Sequence, residues 1–209
     1  MGAAGLFLIT FLLVHLGINS LLVFFDDPRY FNLAAHFMGT NLVIKVFEVI
    51  LFGGFLLHII YGIIVQVINW FSRPVGYKKT YDSQTSYFSK FMIHTAIITL
   101  VFLAIHLSDF YFRAKFFGEV AEVVYDGKHY HDLGQMVIAK FKIGGFVVFY
   151  IASFLFLGFH LVHGFQSAFQ TLGLNHKTYT PIVKAAGLVY TVLVVSGFSA
   201  IPLIIYFSN

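Results

Sequence analysis

Long apolar runs alternate along the chain with short polar breaks. Apolar residues dominate from about Ala3 to Phe25, Leu42 to Trp70, Phe88 to Phe112, Ile143 to Gln170 and Pro181 to Phe207. Each run reaches the roughly 20 residues a helix needs to cross a hydrocarbon layer about 30 Å thick. All five are predicted as helices, because open strands in lipid would leave backbone N–H and C=O groups unpaired. The breaks are chemically distinct. Asp26-Asp27-Pro28 ends the first run, Ser72-Arg73-Pro74 the second and Thr171-Leu172-Gly173 the fourth, while Arg113 to Lys142 is the longest polar stretch. Pro181 suits the first turn of the fifth helix, where its missing N–H is not needed. The start, Met1 to Leu6, lacks the basic stretch of a cleaved signal, so the first run is expected to be retained.

Composition narrows the class. Of 209 residues, 59% are hydrophobic and 11% charged, which leaves too little polar surface to cover a water-soluble globule and no room for a sizeable soluble catalytic domain. The expected fold class is an all-α membrane protein, a five-helix bundle forming one domain over residues 1–209. Cysteine is absent, which excludes disulfides, thiolate metal sites, cysteine-held iron–sulfur clusters and covalent haem attachment through cysteine. Lys and Arg set the expected orientation. Arg73, Lys78 and Lys79, with Lys90 just inside the third run, outnumber Asp82 around the second-to-third connection, and Lys177, with Lys184 just inside the fifth run, stands unopposed around the fourth-to-fifth. Those two connections are expected on the cytoplasmic side, with the N-terminus. Trp70, Tyr77, Tyr81, Tyr87, Tyr111 and Tyr206 near the span ends fit an interfacial aromatic belt.

Histidine supplies the candidate chemistry. Six of the ten histidines, His15, His58, His94, His106, His160 and His163, fall inside the apolar runs. Ionisable groups are costly in hydrocarbon and usually face the bundle interior to serve a pathway or a cofactor. A single such histidine reads equally well as a neutral, hydrogen-bonded packing residue; six together call for another explanation. Counting positions from the span ends puts His15 and His106 in the middle or outer part of the membrane, and His58 and His160 in the inner half. Each pair can clamp one iron from opposite faces of a porphyrin, with nitrogen–metal bonds of roughly 2 Å. Two b-type haems stacked across the bilayer are therefore the expected cofactors, and their four axial ligands are the expected metal-binding residues.

Neighbouring positions refine the set. His58 and Gly62, like His160 and Gly164, repeat His-x-x-x-Gly, which puts a glycine one turn along the same face and clears room for a flat macrocycle. Ordinary close packing through small residues would leave the same pattern. His94 and His106 are twelve positions apart, about 120° around a helix, so they cannot point at one site. His163 lies about 60° from His160 and one turn deeper; it is either a supporting residue or the rival ligand. His94 near the inner face could meet a haem carboxylate, a quinone or water. His36, His129, His131 and His176 are expected in solvated loops, with a zinc role for His129 and His131 lacking further ligands. Lys45 and Glu48 are expected to pair locally near the outer interface or to admit protons. Asp26, Asp27, Arg29 and His36 could ring an outer quinone pocket.

Four stretches carry a family resemblance. Gly5-Leu6-Phe7-Leu8 leading to His15-Leu16-Gly17-Ile18-Asn19, then Leu57 to Gly62, then Leu103-Ala104-Ile105-His106-Leu107, then Gly158-Phe159-His160-Leu161-Val162-His163-Gly164-Phe165-Gln166-Ser167-Ala168-Phe169-Gln170, resemble the cytochrome b membrane anchor of succinate dehydrogenase and fumarate reductase. The similarity is to the single-polypeptide, five-helix, two-haem type. It implies a chain in the bacterial cytoplasmic membrane that anchors a flavoprotein subunit and an iron–sulfur subunit and exchanges electrons with a quinone, commonly menaquinone. Succinate chemistry would reside on those partners. Carried over by motif, His15 and His106 would ligate the outer haem and His58 and His160 the inner one. Some related fumarate reductases have a glutamate where Gly158 stands here, so a proton route through it is not expected. The rival readings are the cytochrome b anchor of a hydrogenase or formate dehydrogenase, and a haem-free transporter whose histidines relay protons.

Overall fold

The computed structural model describes residues 1–72 and 91–208. Arg73, Pro74, Tyr77, Lys78, Lys79, Tyr81, Asp82, Tyr87, Phe88 and Lys90, used above for orientation, the aromatic belt and the start of the third run, lie outside the described residues.

Among the described residues, five helices are long and apolar enough to cross a membrane. The first, α1, spans Gly2–Phe24. A turn follows in which Asp27 Oδ1 accepts from the Arg29 N–H at 2.8 Å, and this starts the short α2, Arg29–Thr40. Asn41 then caps the second long helix, α3 (Leu42–Phe71): its Oδ1 accepts from the N–H groups of Val43 at 2.9 Å and Ile44 at 3.3 Å. Those donors would otherwise be orphaned at a helix start. The third long helix, α4, covers Met92–His106 and continues as a π-helical stretch, Leu107–Phe117, that ends at Gly118. The third run therefore reaches five residues past Phe112, the end expected from hydropathy, because Arg113 and Lys115 break the apolar pattern without breaking the backbone.

A two-stranded antiparallel hairpin follows, β1 (Glu122–Tyr125) and β2 (Lys128–His131), with Glu122 opposite His131 and Val124 opposite His129. Its turn is Asp126-Gly127, both with positive φ (50° and 74°), the primed geometry that matches strand twist and favours glycine second. Asp132, accepting from the Gln135 N–H at 3.1 Å, caps α5 (Leu133–Phe141). The last long helices are α6 (Gly144–Thr171) and α7 (Tyr179–Phe207).

Helix α2, the hairpin and α5 fold over one end of the bundle, called here the capped end. Asn32 of α2, 1% exposed, is their knot. Its Nδ2 donates to Tyr125 Oη at 3.0 Å and to Asp132 Oδ1 at 2.9 Å, and its Oδ1 accepts from the Gly134 N–H at 2.7 Å. Gly134 has to be small: a Cβ there would stand 2.8 Å from Pro28 Cβ. Arg29 adds an ion pair to Asp126 and lies over the Tyr125 ring. His36 therefore belongs to α2, its ring 4.9 Å from that of Tyr130, and His129 and His131 belong to β2; none of the three sits in the loop expected for it. Local amphipathic and strand pairing absorbed segments that are too short and too polar to stand out in a hydropathy reading.

The core runs along α6. Val147, Tyr150, Phe154 and Leu161 pack with Val194, Phe198, Ile201 and Ile205 of α7 and Leu16 of α1. Small residues let these helices close up, since lipid gives apolar side chains no reason to leave it. A Cβ at Gly158 would come 2.9 Å from Val195 Cγ2, and one at Gly187 2.9 Å from Phe165 Cδ1. Helix α3 behaves differently. It packs closely on α1 and α2 alone, and none of its residues is buried.

Candidate functional site

Two histidine pairs occupy the bundle, one above the other. His15 of α1 faces His106, the last residue of α4, with ring centroids 5.8 Å apart and planes at 88°. His58 of α3 faces His160 of α6, with centroids 6.2 Å apart and planes at 72°. In both cases the rings meet across helices that do not pack closely on each other: α1 is held by α2, α3, α6 and α7, and α4 by α6. The side chains thus bridge gaps between helices.

The vertical spacing follows from two helices independently. On α1, a Cβ at Gly5 would lie 3.9 Å from Cε1 of His58, and His15 comes ten residues later. On α6, the Tyr150 ring lies 6.2 Å from that of His106, and His160 comes ten residues later. Ten residues of α-helix rise about 15 Å, so both helices set the pairs about 15 Å apart along the bundle. His15 and His106 form the pair nearer the capped end.

Aromatic side chains hold the rings. Phe11, one turn before His15, stacks on it at 5.3 Å, and Phe198 tilts against it at 5.7 Å. Phe102, Phe110 and Tyr150 surround His106. Phe11 also meets Phe55, three residues before His58, edge to face at 6.3 Å, which joins the two levels. Hydrogen bonding leaves the rings alone. The Nδ1 atoms of His58, His106 and His160 are buried with no partner, although buried polar atoms nearly always find one.

The glycines differ. A Cβ at Gly164 would meet nothing within 4 Å, so the face beside His160 is open there; a Cβ at Gly62 would rest at ordinary distance, 3.6 Å, from Met1 Cε. His94 is exposed, its ring 6.0 Å from that of Phe91, and joins neither pair. His163 is half-buried and has no ring partner among the described residues. His129 Nδ1 lies 3.1 Å from Glu122 Oε2, while His176 Nδ1 accepts from the Thr178 N–H at 3.2 Å. Among the described residues no three His, Asp or Glu side chains converge as a metal-holding group.

Around the capped-end pair the polar contacts differ from those expected, and Asp109 was not expected at all. Glu48 does not pair with Lys45, which is exposed; its Oε1 accepts from Tyr111 Oη and Lys115 Nζ, and so ties α3 to the π-helical stretch. Asp109 pairs with Lys140 of α5 at 2.8 Å. The available signal was position, since Asp109 follows His106 by three residues and is the acid nearest to it in the sequence. Neither a family model, nor a curated protein, nor a solved structure matches this chain, so its reading rests on geometry.

Proposed function

We propose that this chain is the dihaem cytochrome b membrane anchor of a succinate:quinone oxidoreductase, with His15 and His106 holding one b haem and His58 and His160 the other. The observation that carries the reading is the ring separation of each pair, 5.8 and 6.2 Å, across helices that do not pack closely on each other. A metal bonded to both rings at roughly 2 Å would hold their centres about 6 Å apart. With no third protein ligand converging among the described residues, the other coordination positions fall to a non-protein group. Four planar nitrogens of a porphyrin fit that need. The unpartnered nitrogens leave the imidazoles free of protein hydrogen bonds that would compete with a metal, and the open flank at Gly164 and the aromatic walls suit a large apolar disc.

A haem held between two imidazoles supplies one-electron transfer and offers no open iron position to a substrate. The chain's own part is to set two such sites about 15 Å apart along the membrane normal and to keep water from them. The basic connections between the second and third and between the fourth and fifth runs support a cytoplasmic far end, where an iron–sulfur subunit and a flavoprotein subunit would dock. Membrane quinone, of the menaquinone type by the resemblance, is the proposed electron partner, and the bacterial cytoplasmic membrane the proposed location.

Haem quantification on purified wild type and on His→Ala variants at 15, 58, 106 and 160 tests this. The wild type is expected to hold two haems and each variant to lose one. Spectra should group 15 with 106 and 58 with 160. Full haem content in any variant removes that residue from the set, and a haem-free wild type overturns the reading. Co-purification of flavoprotein and iron–sulfur subunits separates this anchor from those of hydrogenase or formate dehydrogenase.

A further inference from the structure

The Asp109–Lys140 pair stands apart from the other ion pairs among the described residues. Its side chains are only 14% and 17% exposed, whereas every other pair has at least one member more than a third exposed. Exposed pairs are screened by water and salt, but this largely covered one keeps more of its field. The two charges are also ordered in space. Asp109 sits three residues beyond His106 on the π-helical continuation of α4, and within electrostatic range of Tyr150, whose ring packs on His106. Lys140 lies on α5 in the cap, its Nζ 3.6 Å from the centre of the Phe146 ring.

Asp109 spends one carboxylate oxygen on Lys140, and the other, Oδ2, is buried with no partner, as is the hydroxyl of Tyr150, itself 1% exposed. A structural clamp would be expected to satisfy both oxygens; here no hydrogen-bond donor other than Lys140 spreads the carboxylate charge, so the pair keeps its field as a dipole. Behind the pair is a cavity of about 450 Å3, lined also by Arg113, Glu119, Asp132 and Gln135. Arg113 and Glu119 are half exposed and oppose each other at 3.6 Å, so they add little net field.

We propose that the Asp109–Lys140 pair is a fixed dipole, negative end toward His106, that lowers the electron affinity of the capped-end site relative to the far-end one. The inference rests on the haem reading above and names positioning residues for it. A negative charge near a redox centre opposes the arriving electron, and a positive one favours it. At the separations of neighbouring side chains in a protein interior, one unit charge changes the reduction equilibrium about tenfold, or about 59 mV for a one-electron couple.

Optical redox titration of the intact, haem-loaded complex in membranes tests the assignment, with the two components identified by their loss in His106→Ala and His58→Ala. Asp109→Asn is expected to raise the potential of the capped-end component by about that amount, and Lys140→Gln to lower it. The double variant, which lacks the dipole, should lie above wild type but below Asp109→Asn alone, and the far-end component should not move. Shifts of the same sign in the two single variants, unmoved potentials, or equal shifts of both components overturn the proposal. Should Asp109→Asn fail to take up haem, the sign of the Lys140→Gln shift decides, with Lys140→Arg restoring the wild-type value. A wild type without haem bands removes the underlying reading; two haems with unmoved potentials remove only the dipole.

Discussion

Gly5 of α1 lies against His58 of α3, where an added methyl group would stand 3.9 Å from the imidazole Cε1 and equally far from Cβ of Ala168 on α6. Three helices thus converge on the far-end pair at one small residue. Gly5→Ala is expected to be tolerated. Gly5→Leu should displace the His58 ring and halve the haem content, with the spectrum of the capped-end component retained.

Two other glycines separate cofactor clearance from helix packing. Nothing within 4 Å would meet a Cβ at Gly164, whereas Phe165 Cδ1 would stand 2.9 Å from one at Gly187. Gly164→Leu is expected to insert and fold normally yet lose the haem beside His160. Gly187→Leu overpacks the α6–α7 seam and should destabilise the protein by about 1–3 kcal/mol, read as a lower melting temperature in detergent.

Removing the knot of the cap should be felt at a distance in sequence. Asn32→Leu leaves the Gly134 N–H and the Tyr125 and Asp132 oxygens without their shared partner. An abandoned buried hydrogen-bonding group costs about 1–3 kcal/mol. Limited proteolysis is expected to cut the segment from Gly118 to Asp132 faster in the variant, while cleavage at the far end stays unchanged.

Glu48 is the side chain through which α3 reaches the π-helical stretch. Glu48→Gln should loosen that end of α3, seen as faster hydrogen exchange in the first turns after Asn41. Because Lys115 is nearly half exposed, a double-mutant cycle between the two is expected to give no more than about 1 kcal/mol. Exchanging the two charges should recover most of the protection.

The long helices were readable because lipid imposes a length and forbids unpaired backbone, so hydropathy alone located them to within a few residues. The approach of His15 to His106 and of His58 to His160 was readable by counting positions from the span ends, since straight helices convert sequence distance into depth. The cap was not. Asn32 finds Asp132 a hundred residues away, and no periodicity in either segment announces that bond. Glu48 has Lys45 three residues before it, a natural helical neighbour, yet reaches Lys115 instead, a side chain that the π-helical stretch brings within range of α3. The reach of the third helix to Phe117 was hidden for a related reason: Arg113 and Lys115 read as the end of a span but lie within the π-helical stretch that continues it.

A thirty-residue helix that leans on two neighbours and buries none of its own side chains is held lightly by the polypeptide. Whatever bridges His58 to His160 would also fasten α3 to α6. On the reading proposed above, filling the far-end pair would latch that helix to the rest of the bundle, and a chain without the group would carry it unlatched.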